Sequence, residues 1–216
     1  MKNNLTELVF IIDRSGSMSG LETDTVGGFN STIDGQKRES GDVYVSTVLF
    51  DNFSEVLYDR VGINDIKPMT INDYRPRGCT ALYDAIGGAI KHIGNIHKYA
   101  RSEDVPEKTV FMITTDGMEN ASRHYTGKRI KEMIKQQQEK YGWEFIFLAA
   151  NIDAEETADE IGISVERAVN FCQDSEGVRT SYEAMCQAIT AIRAHKRLDD
   201  TDWRKNADLD IRRRRK

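Results

Sequence analysis

The chain has 216 residues, 39% apolar and 30% charged, with a formal net charge of −5 and three cysteines. Those values fit a soluble globular domain and exclude disordered, fibrous and disulfide-stapled classes. No apolar run approaches the roughly 20 residues of a membrane helix, and the polar start at residues 1–7 carries no small-residue cleavage site, so neither a membrane span nor a secretory leader is expected. An acidic body is also a poor partner for nucleic acid, which is held by basic surface. The exception is the basic run at residues 212–216, read as part of a solvated tail. Cys79, Cys172 and Cys186 are widely spaced without a CxxC pair, which points to reduced thiols in a cytoplasmic protein.

Residues 8–12 (LVFII) form a continuous apolar run without alternation, the pattern of a strand buried on both faces, and the run stops at a polar, Gly-containing turn. Leu21, Val26, Phe29 and Ile33 then recur at helical spacing. Gly27 and Gly28 weaken that helix intrinsically and imply close packing. Apolar segments 43–50 and 53–58 are separated only by Asp51 and Asn52, a gap that permits an antiparallel hairpin and no parallel return. A long helical stripe covers 81–99, with Leu82, Ala85, Ile86, Ala89, Ile90, Ile93 and Ile96 on one face. A buried strand at 110–114 ends in Thr115-Asp116-Gly117, and a helix follows with Ile130, Met133, Ile134 and Gln137 in register. Strand 145–150, a short helix at 154–161, strand 168–171 and a last helix at 178–195 complete the pattern.

Strands alternating with helices indicate βαβ crossovers and a three-layer α/β sandwich, with a mainly parallel central sheet and one antiparallel edge strand. The domain is expected over residues 5–196. From Lys196 periodicity fails and charge dominates, so 197–216 reads as a flexible tail.

Ligands of open parallel sheets gather at the carboxyl ends of the strands. Three polar segments fall there: Asp13-Arg14-Ser15-Gly16-Ser17 after the first strand, Gly78-Cys79-Thr80 before the long helix, and Thr115-Asp116-Gly117. Residues at i, i+2 and i+4 of an extended chain point to one side, so Asp13, Ser15 and Ser17 converge, and Gly16 lets the chain bend. With Thr80 and Asp116 they give an all-oxygen set suited to a hard, octahedral cation, Mg²⁺ with Mn²⁺ as the alternative. Zinc would favour His or Cys. A DxSxS run alone also describes a capped turn. Three such segments at three expected loops favour a metal site.

Asp13-x-Ser15-x-Ser17, a later Thr80 before a helix, and Asp116-Gly117 after a strand resemble the metal-ion-dependent adhesion site, or MIDAS, of von Willebrand factor A domains, in the stand-alone microbial form. The resemblance spans the chain apart from its tail. It implies a Rossmann-like sandwich, direct ligation by Ser15, Ser17 and Thr80, and action of Asp13 and Asp116 through water. It further implies a binding module, not an enzyme, in which the ion meets a carboxylate of a partner protein, in an accessory of a larger cytoplasmic system. Cys79 departs from the small glycine more usual before the threonine and is read as a packed side chain. Arg14 and Met18, with Glu119, Asn120, Ser122, Arg123 and His124, are expected on the rim. His92 and His97 stand five apart, form no metal pair, and are expected at the surface.

Two alternatives remain open on the residues. A phosphoryl-transfer hydrolase of the haloacid-dehalogenase type also places an Asp after its first strand, but needs a second Asp where this chain has Ser15. A metal-independent interaction module would share the fold without using the ion. A serine hydrolase is disfavoured, because residues 16–20 read GSMSG, with Met18 where the nucleophile would stand.

Overall fold

The computed structural model describes residues 2–214. Strand β1 (Lys2–Asp13) pairs in parallel with β2 (Asp42–Phe50) on one side and β4 (Pro106–Thr115) on the other. β5 (Glu144–Ala149) and β6 (Ala168–Asn170) extend the parallel sheet, and β3 (Ser54–Gly62) closes the other edge antiparallel to β2. The resulting order is β3-β2-β1-β4-β5-β6. This is the expected mainly parallel, Rossmann-like three-layer sandwich with one antiparallel edge strand.

Both faces of the sheet are covered, which is why β1 needs no alternation. Leu8, Phe10 and Ile12 pack beneath α1 (Glu22–Lys37) and α5 (Ser175–Arg193). Val9 and Ile11 pack beneath α2 (Leu82–Tyr99), α3 (Gly127–Tyr141) and α4 (Ala154–Glu160). Gly28 is required where α1 crosses α5, because a Cβ there would collide with the Tyr182 ring.

The segment after Lys196 differs from the expected tail. It forms a short turn (Leu198–Asp200) and helix α6 (Lys205–Arg214), anchored by Leu198, Trp203 and Ala207, all buried in the core shared with α1 and α5. Arg204 adds ion pairs to Glu155 at 2.7 Å and Asp208 at 3.0 Å, and Arg214 pairs with Asp174 and Asp210. Three apolar anchors across ten residues of mostly charged sequence leave no helical period to read. Of the basic run, Arg212 and Arg213 are exposed, and Arg215 and Lys216 lie outside the described residues. Among the described residues no helix is long and apolar enough to cross a membrane.

Candidate metal centre

Strand order reverses at β1, whose neighbours continue to β2 on one side and β4 on the other. The crevice at such a switch point lies between the carboxyl ends of the flanking strands. Here those ends are Asp13 and Thr115, with Asp116 immediately after.

The three loops are fastened to one another by backbone. Arg14 N–H donates to Phe50 O at 2.8 Å, Gly16 N–H to Gly78 O at 3.1 Å, and Arg77 N–H to Arg14 O at 2.8 Å. Gly78 adopts φ +69°, and a Cβ there would strike the Asn52 side chain, so glycine is needed. Asn52 in turn accepts from Cys79 N–H at 3.0 Å. Asn120 grips Thr80 from both sides, accepting its N–H at 2.9 Å and donating its own N–H to Thr80 O at 3.1 Å.

Within this frame the five expected ligand side chains come together. Ser15 and Ser17 hydroxyls lie 3.0 Å apart, and Ser17 Oγ donates to Asp116 Oδ1 at 2.6 Å. Thr80 Oγ1 and Ser17 Oγ both face Gly117, at 3.6 and 3.8 Å from where a Cβ would stand. Asp13 accepts from Ser15 N–H at 2.7 Å and from Thr115 Oγ1 at 2.6 Å. Asp13, Ser15, Thr80 and Asp116 are buried, and Ser17 opens to solvent.

The electrostatics are unbalanced. Burial pushes the Asp13 carboxyl up to about 6 against the bonds from Thr115 and Ser15, and the charge of Asp116 pushes the same way. Asp116 is raised as well, by burial, despite bonds from Ser17 and Gln173. Among the described residues no Lys, Arg or His forms an ion pair with either carboxylate. The nearest candidate, Arg14, turns away: it is buried and bound to Asp51 at 3.0 Å and Glu55 at 2.7 Å.

That chemistry fits a hard cation, since two carboxylates and three hydroxyls offer only oxygen and carry uncompensated negative charge. No group of three or more His, Cys, Asp or Glu among the described residues could hold a metal, so any ion here depends on hydroxyl ligands.

Several neighbouring residues lie elsewhere than expected. Arg14 and Met18 are buried, the latter in the core, and do not form a rim. Glu119 is half-buried, accepting from Tyr83 N–H at the start of α2 and from Ser122, whereas Asn120 is exposed as expected. The side chains of Arg123 and His124 remain exposed. Cys79 is exposed instead of packed. His97 is half-buried against Trp143 and bonded to Glu7, whereas His92 is exposed as expected.

Sequence reasoning missed Gln173. Its Nε2 donates to Asp116 Oδ2 at 2.7 Å and to Ser17 O at 2.6 Å, and its Oε1 accepts from Asn151 at 2.6 Å. It lies 57 positions from Asp116, beyond any local spacing signal. Thr115, beside an expected ligand position, could have been found as the hydroxyl that orients Asp13.

No family model matches the chain, and neither does any curated protein. Solved structures do. Proximal thread matrix protein 1 of the mussel byssus matches at 16% identity and TM-score 0.61, over 87% of this chain and 46% of that one. A form of that protein with a zinc-occupied MIDAS motif matches at 13% identity and TM-score 0.59, over the same shares. A von Willebrand factor type A protein of Catenulispora acidiphila matches at 15% identity and TM-score 0.59, over 88% and 43%. The chain has the von Willebrand factor A fold. The von Willebrand domain of a type V pilus tip protein of Porphyromonas gingivalis matches over 85% of this chain and 94% of that one, at 10% identity and TM-score 0.59. The chain thus spans under half the length of the mussel protein but nearly the whole of an isolated von Willebrand factor A domain.

Proposed function

We propose that the chain is a metal-dependent protein-binding domain that holds one Mg²⁺, or Mn²⁺ in its place, among Asp13, Ser15, Ser17, Thr80 and Asp116. The observation that carries this reading is the convergence of two buried carboxylates and three hydroxyls, with no ion pair to either carboxylate among the described residues. The zinc-occupied MIDAS of the mussel protein supports it by analogy of fold.

Each residue has a distinct task. Ser15, Ser17 and Thr80 present neutral oxygens, and Asp13 and Asp116 hold negative charge behind them. Thr115 and Gln173 fix the two carboxylates, and Asn120 fixes the Thr80 backbone. The bound ion would supply a positive centre, little neutralised by its hydroxyl ligands, for a carboxylate of a partner protein. This is a binding device that requires no bond to break. Ser15 stands where a phosphoryl-transfer hydrolase would need its second carboxyl. We place the protein in the cytoplasm as an accessory of a larger assembly. Three widely spaced cysteines without a CxxC pair support that placement.

Water-proton relaxation with Mn²⁺ tests the reading. One Mn²⁺ per chain should bind, Thr80→Ala should abolish it, and acetate should lower the relaxivity by displacing a metal-bound water. Unchanged Mn²⁺ binding in Thr80→Ala, or none in the wild type, would remove the proposal.

A further inference from the structure

At the opposite end of the sheet from the metal-site loops, α2 and α3 part over the start of β4 and leave a groove of about 920 Å³. That volume lies within the range of pockets that take a specific ligand. Its floor is apolar: Ile90 from α2, Met133 from α3 and Trp143 before β5 are all buried. Trp143 is rigidly placed, stacked on Phe111 at 5.2 Å and edge-on to His97 at 5.5 Å. Gly94 keeps the groove open beside it, because a Cβ there would find only the Trp143 ring, at 3.9 Å.

The rim is predominantly basic. Lys91 and Lys98 of α2 and Arg129 and Lys140 of α3 line the groove. The three lysines are exposed and, among the described residues, none is within ion-pair distance of a carboxylate. Arg129 is paired with Glu132 at 3.1 Å. The one acidic lining residue, Glu107, is engaged elsewhere, by Asn4 N–H at 2.7 Å and His195 at 3.7 Å. Glu103 and Asp104, next along the chain, are held by Arg101. In a chain of net charge −5, unpaired lysines gathered around an apolar trough are a local reversal of the overall field.

We propose that this groove is a second binding surface, independent of the metal centre, for an acidic amphipathic segment of a partner protein. An apolar side chain of that segment packs on Met133 and Trp143, and its carboxylates meet Lys91, Lys98 and Lys140. An apolar anchor in a trough with complementary charge at the rim is how short segments are held by preformed grooves.

The probe is a short peptide with one leucine or tryptophan between glutamates, titrated into the full chain without metal and followed by the indole N–H resonances. The Trp143 signal should shift while that of Trp203, buried in the other core, stays. Combining Lys91→Glu, Lys98→Glu and Lys140→Glu changes only exposed side chains and should weaken binding at least about tenfold at low salt. Gly94→Leu, which fills the trough while leaving the lysines, should also abolish it. The proposal fails if the peptide leaves Trp143 unmoved, if the triple variant binds it unchanged, or if a lysine-for-glutamate peptide binds as well. It fails too if anionic vesicles shift Trp143 and the peptide does not.

Discussion

Strand β1 carries two fully buried carboxylates on the same face, Glu7 and Asp13, and the fold treats them in opposite ways. Glu7 is met by Arg60, whose Nε lies 2.9 and 3.0 Å from its two oxygens, and by His97 at 3.1 Å. Arg60 adopts φ +50° and lies with its guanidinium 4.7 Å over the Tyr44 ring. Among the described residues Asp13 receives the backbone N–H and hydroxyl of Ser15 and the hydroxyl of Thr115, all neutral donors, and faces a second carboxylate. Glu7 is given a counter-ion from the chain itself. Where the chain supplies only neutral donors to two acids, a removable cation is the natural complement.

Removing Arg60 should produce the largest effect. Arg60→Ala leaves Glu7 buried with His97 alone, and breaking a buried pair from one side costs roughly 3–5 kcal/mol. Urea unfolding reads this directly, and a loss below about 1 kcal/mol would erase the contrast between the two ends of β1. Asp13→Asn should do the reverse. The folded carboxyl titrates at about 6 against an ordinary 3.8, so its ionised form is disfavoured in the fold. Above about pH 6 the metal-free variant should therefore be more stable than wild type by up to roughly 3 kcal/mol. The gain should shrink as pH falls below 6 and vanish below 3.8, because wild-type Asp13 is then protonated in both states.

The same titration should limit metal binding at the proposed site. Protons compete for Asp13, so Mg²⁺ affinity should fall by about tenfold per pH unit below 6. Calorimetric titrations at pH 8, 6 and 5 check this, and a flat profile would separate Asp13 from the metal. Gln173→Ala should have the smallest effect, costing about 1 kcal/mol of stability and weakening Mg²⁺ binding only a few-fold. A loss as large as that of Thr80→Ala would make Gln173 part of the ligand set instead of its support.

The sheet was legible because β1 is apolar at every position from Leu8 to Ile12, and because Asp51 and Asn52 leave no room for a crossover. The convergence of Asp13, Ser15, Ser17 and Asp116 was legible for a related reason: they sit at or just after strand ends, where position along the chain fixes position in space. Residues whose role depends on a distant partner were not. Glu7 looked like part of a polar start because Arg60 lies 53 positions away, and Arg14 looked like a rim residue because Asp51 lies 37 away. Met18 is drawn inward by the tight turn at Gly16–Met18, a backbone detail that spacing does not reveal. Helix α6 escaped because its anchors, Leu198, Trp203 and Ala207, follow no helical period.

Thermal unfolding with and without saturating Mg²⁺, on chelator-treated wild type and Asp13→Asn, tests the metal centre most directly. An ion at about 100 times its Kd adds about 2.7 kcal/mol, an upward shift on the order of 5–11 °C for a domain of this size. The wild type should show that shift and Asp13→Asn none. No shift in the wild type, or an equal shift in both, would contradict a cation held between Asp13 and Asp116.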